Sequence, residues 1–165
     1  FPGSFYDRIL ELNGIYLNDL TTVNTSLADM TAAQVMQRQV ETLRSDMPLE
    51  EAVQAFSRSH HRGFPVLEED KLVGIVTQTD LNTIKQRPLP PNTPLQQIMT
   101  PWPITIPPQE SLANVLYLLN RYNLSRLPVV EGRKLVGIIT RSDIIRAEAS
   151  ELSGERQQLA PRVQP

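Results

Sequence analysis

The sequence predicts an α/β (α+β) fold built as two tandem copies of one β-α-β unit. Three observations carry that expectation: a gapless internal repeat, short β-branched runs bounded by turn formers, and apolar positions at helical spacing between them. Residues 36–81 recur 63 positions later as residues 99–144, with 14 identities in 46 aligned positions. Pro65-Val66-Leu67 returns as Pro128-Val129-Val130, and Lys71-Leu72-Val73-Gly74-Ile75-Val76-Thr77 with Asp80 returns as Lys134-Leu135-Val136-Gly137-Ile138-Ile139-Thr140 with Asp143.

Each copy opens alike. Thr31 with Gln34 three residues on predicts a capping box before a short helix. Thr93-Pro94-Leu95-Gln96 predicts the same entry in the second copy, with proline at the first helical position. Extended segments follow at Val40–Leu43 and Ile104–Ile106. A longer amphipathic helix starts near Pro48, with Leu49, Ala52, Val53 and Phe56 at helical spacing. Its counterpart starts near Glu110, with Leu112, Val115, Leu116 and Leu119. Strands are expected at 64–67, 72–77, 127–130 and 135–140, around the turns Glu68-Glu69-Asp70 and Glu131-Gly132-Arg133.

The expected organisation is an N-terminal helix and linker over 1–29 and a first repeat over 30–86. A connector made semi-rigid by prolines spans 87–94, a second repeat 95–149, and a polar, disordered tail 150–165. Within 1–29, Phe5, Ile9 and Leu12 form one helical stripe that Asn13-Gly14 stops, and residues 18–26 read as linker.

Composition narrows the function. The chain has 165 residues, so burial alone leaves each half only marginally stable and mutual packing is expected. A net charge of -2 and a pI near 5.7, with no arginine or lysine cluster, argue against nucleic acid. Cysteine is absent, which removes disulfides, thiolate nucleophiles and cysteine zinc sites. No run approaches the roughly 18 apolar residues of a membrane span. The start at Phe1-Pro2-Gly3 reads as a fragment of a longer chain or a processed product, with trimmed terminal residues as the alternative.

One motif could carry chemistry. Each copy ends its last strand with Gly-x-x-Thr-x-x-Asp: Gly74, Thr77, Asp80 and Gly137, Thr140, Asp143. Threonine is expected at the strand-to-helix junction with the aspartate one turn on. Helix-terminal N–H groups there suit a phosphate, and the carboxylate suits a vicinal diol such as that of ribose. Glycine would let backbone approach a ligand. The same Thr-x-x-Asp spacing also serves as an N-cap and N3 pair with no ligand present, and the two roles are compatible.

The repeated Pro-Val-Val…Lys-Leu-Val-Gly-Ile-x-Thr-x-x-Asp pattern resembles the CBS domain, and two in tandem, over about residues 30–148, resemble a CBS pair or Bateman module. The resemblance implies two units about a pseudo-twofold axis with two clefts that take AMP, ADP or ATP as regulatory ligand, and no catalytic cofactor. One implied cleft combines Thr140 and Asp143 with Leu43, His61, Arg62 and Phe64; the other combines Thr77 and Asp80 with Ile104, Thr105, Leu124, Ser125 and Leu127. Arg62, Arg126 or Arg141 would meet phosphates. A second stretch, Ser4-Phe5-Tyr6-Asp7-Arg8-Ile9-Leu10-Glu11-Leu12-Asn13-Gly14, is similar to the segment before the first CBS domain in cytoplasmic tails of ClC chloride channels and transporters, as is His61-Arg62-Gly63-Phe64-Pro65-Val66. That similarity implies a cytoplasmic regulatory domain of an integral membrane protein, joined to an upstream ClC-like transmembrane domain and forming a homodimer.

The remaining reactive side chains give little. His60 and His61 lack carboxylate or cysteine partners at metal-ligand spacing. Trp102 between two prolines reads as a packing or interface aromatic, and Met36 and Met99 as duplicated core fillers. Ser111, Ser125 and Ser142 lack a histidine in their own repeat, so no nucleophilic triad is expected. The leading expectation is a non-enzymatic module sensing an adenine nucleotide. The alternatives are a constitutive dimerisation scaffold with empty clefts and a CBS regulatory module of another kind of protein.

Overall fold

The computed structural model describes residues 25–159, so the expected helix at 4–12 and most of the linker at 18–26 lie outside the described residues. In chain order the elements are α1 (Thr25–Asp29), α2 (Ala32–Val35), β1 (Leu43–Arg44), α3 (Leu49–Arg58), β2 (Gly63–Glu68), β3 (Lys71–Thr77), α4 (Gln78–Gln86), a 3-10 turn at Leu95–Gln97, β4 (Thr100–Pro101), α5 (Leu112–Arg121), β5 (Arg126–Glu131), β6 (Lys134–Thr140) and α6 (Arg141–Leu159). The expected strands all form, each longer than its apolar run because the turn-flanking residues also pair.

Local chemistry explains the boundaries. The expected capping box forms at Thr31 and Gln34, the Gln34 side chain accepting from Thr31 N–H at 3.1 Å. The second entry differs: Pro94 is the cap of the 3-10 turn, and Thr93 donates its hydroxyl back to Pro90 O at 2.7 Å. Thr93 closes the proline turn instead of capping a helix. Ser111 caps α5 by accepting from Asn114 N–H. The β2–β3 turn holds Glu69 and Asp70 at positive φ, whereas glycine takes the equivalent place at Gly132. Two expectations fail at the ends. Residues 25–26 belong to α1, not to linker, and residues 150–159 of the expected disordered tail continue α6. Ala147, Glu148, Ala149 and Glu151 are good helix formers, and no proline intervenes before Pro161.

Strands follow the order β1-β2-β3-β6-β5, with β4 also on β3. β1 runs parallel to β2, Leu43 opposite Val66, while β2 and β3 are antiparallel with an irregularity at Val66/Leu67. β3 meets β6 at Lys71–Lys134, supported by Leu72 N–H donating to Arg133 O at 3.0 Å. The 63-residue offset holds at the level of pairing: Ile106 lies parallel to Val129 as Leu43 does to Val66.

The opening segments are exchanged between repeats. Thr31 pairs with Ser111 and Pro48 with Pro94; Gln37 pairs with Ile138 and Thr100 with Ile75. In each couple, adding 63 to one member and subtracting it from the other gives the second pair. Ala32 and Ala33 N–H donate to Glu110 and Pro108, and Leu95 and Gln96 N–H donate to Met47 and Ser45. The contact pattern therefore divides the described chain into two compact units that cut across the repeats. One lies within Phe1–Met36, Pro108–Leu127 and Ile139–Pro165; the other is Gln37–Pro107 with Pro128–Ile138.

The second unit is built on Leu43, Leu49, Ala52, Phe56, Phe64, Val66, Val76, Leu81 and Leu95, with Met99 against them. Phe56 and Phe64 meet edge to face at 4.8 Å, a contact worth about 0.5–1.5 kcal/mol beyond its area. The first unit buries Leu27, Ala32, Met36, Leu112, Val115, Leu118, Leu119 and Ile144. Here α1 lies against both α5 and α6, and Leu112 N–H donates to Met30 O at 2.9 Å. The repeat equivalent of α1 is Pro88-Leu89-Pro90-Pro91-Asn92, whose prolines forbid a helix. A groove of about 480 Å³ consequently stays open along α3 and α4, lined by Val53, Phe56, Leu81, Ile84, Lys85 and Leu89 among others. Val53, expected in the core, is 44% exposed for the same reason, as is Leu89.

Candidate functional site

Strand β3 runs into α4 without a loop, and β6 into α6 likewise, so each Thr-x-x-Asp motif occupies a strand-to-helix junction. At the first, Asp80 Oδ2 accepts from Thr77 N–H at 2.8 Å and from the Thr77 hydroxyl at 3.0 Å, while Asp80 N–H donates to Thr77 Oγ1 at 3.3 Å. At the second, Asp143 Oδ2 accepts from Thr140 N–H and from the Thr140 hydroxyl, both at 2.9 Å, and Asp143 N–H donates to Thr140 Oγ1 at 3.4 Å. Each motif is a reciprocal cap that satisfies otherwise orphaned donors. The capping role is therefore filled at both places, and only the second carboxylate oxygen is left to decide whether a ligand can also be received.

That oxygen differs between the copies. Asp143 Oδ1 pairs with Arg146 Nη2 at 2.5 Å, and the Asp143 side chain is 4% exposed. Threonine takes the equivalent place in the first copy: Thr83 donates its hydroxyl to Thr79 O at 3.1 Å. Among the described residues Asp80 Oδ1 has no partner, and Asp80 is half-buried. The i,i+3 spacing of Asp143 and Arg146 was a legible sign of this ion pair that the motif reading passed over.

The remaining expected residues fall as follows. In the second unit, Gly63 lies opposite Thr77, and Gln78 N–H donates to Arg62 O at 2.8 Å, so the loop before β2 is fastened to the Thr77 junction. One helix-terminal N–H of α4 is thereby already spent. The His61 ring stands edge to face with Phe64 at 5.5 Å and its Nε2 lies 3.5 Å from Glu41. Phe64 and Leu43 are buried in the core, while His61 and Arg62 are exposed. Ile104 and Thr105 are half-buried just ahead of Ile106, which bonds across to Pro128 and Val130. The Ile106 bonds thus hold the end of this segment to β5. In the first unit, Leu124 and Ser125 follow the end of α5, where Asn123 takes a positive φ and Leu124 N–H donates to Leu119 O. Leu127 is buried at the start of β5. Arg141 donates to Asn120 Oδ1 at 2.7 Å, tying the head of α6 to the end of α5.

Two expectations need correction. The glycine of the motif does not serve a ligand at Gly74: a Cβ there would stand 2.5 Å from Met99 Sδ and 2.9 Å from Thr100 O. Its close approach is to the exchanged segment of the chain itself. Of the two roles expected for Trp102, packing within the fold is the one that fails. It is 82% exposed at φ +51° between Pro101 and Pro103. Met36 and Met99 are buried and partly buried, as duplicated core fillers should be. Among the described residues no group of three His, Cys, Asp or Glu side chains could hold a metal ion. No described helix is long and apolar enough to cross a membrane.

Comparison with known proteins agrees with this architecture. The family model described as the CBS domain matches twice, at residues 32–85 and 89–150. The chain is 30% identical over 141 residues to protein MJ1232 of Methanocaldococcus jannaschii, covering 82% of this chain and 45% of that protein. Among solved structures it is similar to the CBS domain pair of protein MJ0100 in complex with 5-methylthioadenosine and S-adenosyl-L-methionine, at TM-score 0.65 and 27% identity, covering 74% of this chain and 98% of that one. It is also similar to CBSX2 in complex with AMP, at TM-score 0.64, 25% identity and the same coverage. The chain spans about half or less of the curated relatives it matches first, 45%, 21% and 51% of their lengths.

Proposed function

Because the chain belongs to the CBS-domain family, in two tandem copies, we propose that it is a regulatory module that binds an adenine nucleotide (AMP, ADP or ATP). As a CBS pair it is not an enzyme. The observation that carries the reading is the Thr77–Asp80 junction, a capped helix start whose carboxylate keeps one oxygen, Oδ1, without a partner among the described residues. A carboxylate oxygen of this kind accepts from ribose hydroxyls. The resemblance to CBS pairs adds Ile104 and Thr105, half-buried in the same unit, as apolar and hydroxyl surface for the nucleoside. Two similar structures were solved with adenosyl ligands or AMP, which supports the ligand class. Binding would favour one arrangement of the module and pass that bias to whatever it is joined to. Titration calorimetry with AMP, ADP and ATP tests this; absence of heat and of any thermal shift at millimolar nucleotide removes it.

The finer reading places the module in the cytoplasm behind a ClC-like chloride channel or transporter domain. It rests on the similarity of residues 4–14 and 61–66 to ClC tails. The parent sequence ahead of Phe1 tests it, and an upstream region without long apolar helices would end it.

A second reading, a constitutive scaffold that dimerises, is favoured by the open groove along α3 and α4. Glu50 and Glu51 stand at one end of α3 and Arg58 at the other, with exposed Val53 between. Two copies of α3 packed antiparallel would set Glu50 of one against Arg58 of the other and cover both apolar strips. Sedimentation of the V53D and wild-type proteins discriminates: the scaffold requires a wild-type dimer that V53D dissociates.

A further inference from the structure

We infer that the module takes one nucleotide per chain, at the Asp80 junction, and that Arg146 is the residue that closes the Asp143 junction to ribose. The inference deepens the proposed function and rests on it.

The two junctions share the Thr-x-x-Asp pattern and the capping bonds, so a ligand that used only the threonine and the cap would find them alike. They differ at one carboxylate oxygen. At Asp143, Oδ2 is taken by Thr140 and Oδ1 by the Arg146 guanidinium at 2.5 Å, in a side chain that is 4% exposed. A ribose diol has two donors and needs acceptors. To be received at Asp143 it must break a charge-assisted bond, among the stronger hydrogen bonds, and leave the guanidinium to find another partner. Asp80 makes no such demand. Its Oδ2 holds the cap, its Oδ1 has no partner among the described residues, and the residue in the place of Arg146 is Thr83, whose hydroxyl turns back to Thr79 O.

Arg146 itself has a 72% exposed side chain, so the core does not hold it in position. Its attachment is the carboxylate, and replacing it removes the closure without disturbing packing. The arginine is thus a specificity-determining residue that acts by occupying an acceptor.

The test is the number of sites measured by titration calorimetry with AMP on the full chain. Wild type is expected to bind one equivalent. D80N should weaken that site at least tenfold, and T83R, which installs the arginine beside Asp80, should do the same. R146T should raise the stoichiometry from one to two. Far-UV circular dichroism of each variant confirms that it is folded, and R146T and T83R change exposed positions, so the test does not depend on the buried Asp143. A wild-type stoichiometry of two, unchanged binding in D80N, or a stoichiometry that stays at one in R146T overturns the inference while leaving nucleotide binding intact. No binding of AMP, ADP or ATP by any variant overturns the proposed function, and this inference with it.

Discussion

Met99 occupies the space that a side chain on Gly74 would need: its Sδ lies 2.5 Å and its Cγ 2.8 Å from the position of a Cβ there. The sulfur end could swing aside, but Thr100 O at 2.9 Å belongs to the backbone of β4, which is paired with β3 at that point. Gly74→Ala is therefore expected to destabilise the protein by about 1–3 kcal/mol through overpacking. Urea denaturation measures it, and a loss under about 0.5 kcal/mol would mean that β4 yields freely.

The strand turns give an opposite expectation. Glu69 and Asp70 both sit at positive φ, while Gly132 takes that conformation in the second copy with no atom near its missing Cβ. Glu69→Gly relieves strain that most side chains resist and should stabilise by about 0.5–1 kcal/mol. Gly132→Ala should destabilise by about 1 kcal/mol on backbone grounds alone. Thermal melts of the two variants should shift in opposite directions.

Tyr117 presents a buried hydroxyl with no hydrogen-bond partner among the described residues. Removing it with Tyr117→Phe leaves the packing intact and ends an uncompensated desolvation, so stability should rise by about 1 kcal/mol. A fall in melting temperature would show that the hydroxyl has a partner in solution, such as an ordered water.

The threonines cap whether or not a ligand is present. Thr77→Ala and Thr140→Ala should each cost about 1 kcal/mol in nucleotide-free protein, while Thr→Ser, which keeps the capping hydroxyl, should leave the caps intact. Equal stability of wild type and both alanine variants would remove the caps from the account.

Much of this was legible because repetition and periodicity are local signals. The 63-residue offset located the repeated strands and is kept in the Leu43–Val66 and Ile106–Val129 pairings, and the Thr-x-x-Asp spacing located both caps. The exchange of opening segments was not legible. Gln37 could have paired with Ile75 of its own copy or with Ile138 of the other, and since Ile75 and Ile138 are the same residue type, local sequence does not choose. Val53 was misplaced for a related reason: its helical stripe is apolar enough for a core, but the proline-rich segment in the place of α1 cannot form the helix that packs on α5 in the other copy. The candidate site was readable as a motif and unreadable as a state. The difference between Asp80 and Asp143 lies three residues downstream, at Thr83 and Arg146, outside the part that repeats.

The reciprocal pairing of Thr31 with Ser111 and of Pro48 with Pro94 has an evolutionary and practical corollary. Neither copy is self-sufficient, because the segment that finishes each one is carried by its twin. A gene encoding a single copy could reach the same bonds only by two products lending each other their leading ends, which makes fusion of such a pair a natural origin for this chain. For the protein engineer, cutting within the proline connector yields fragments that should be inert apart and restore the fold when mixed.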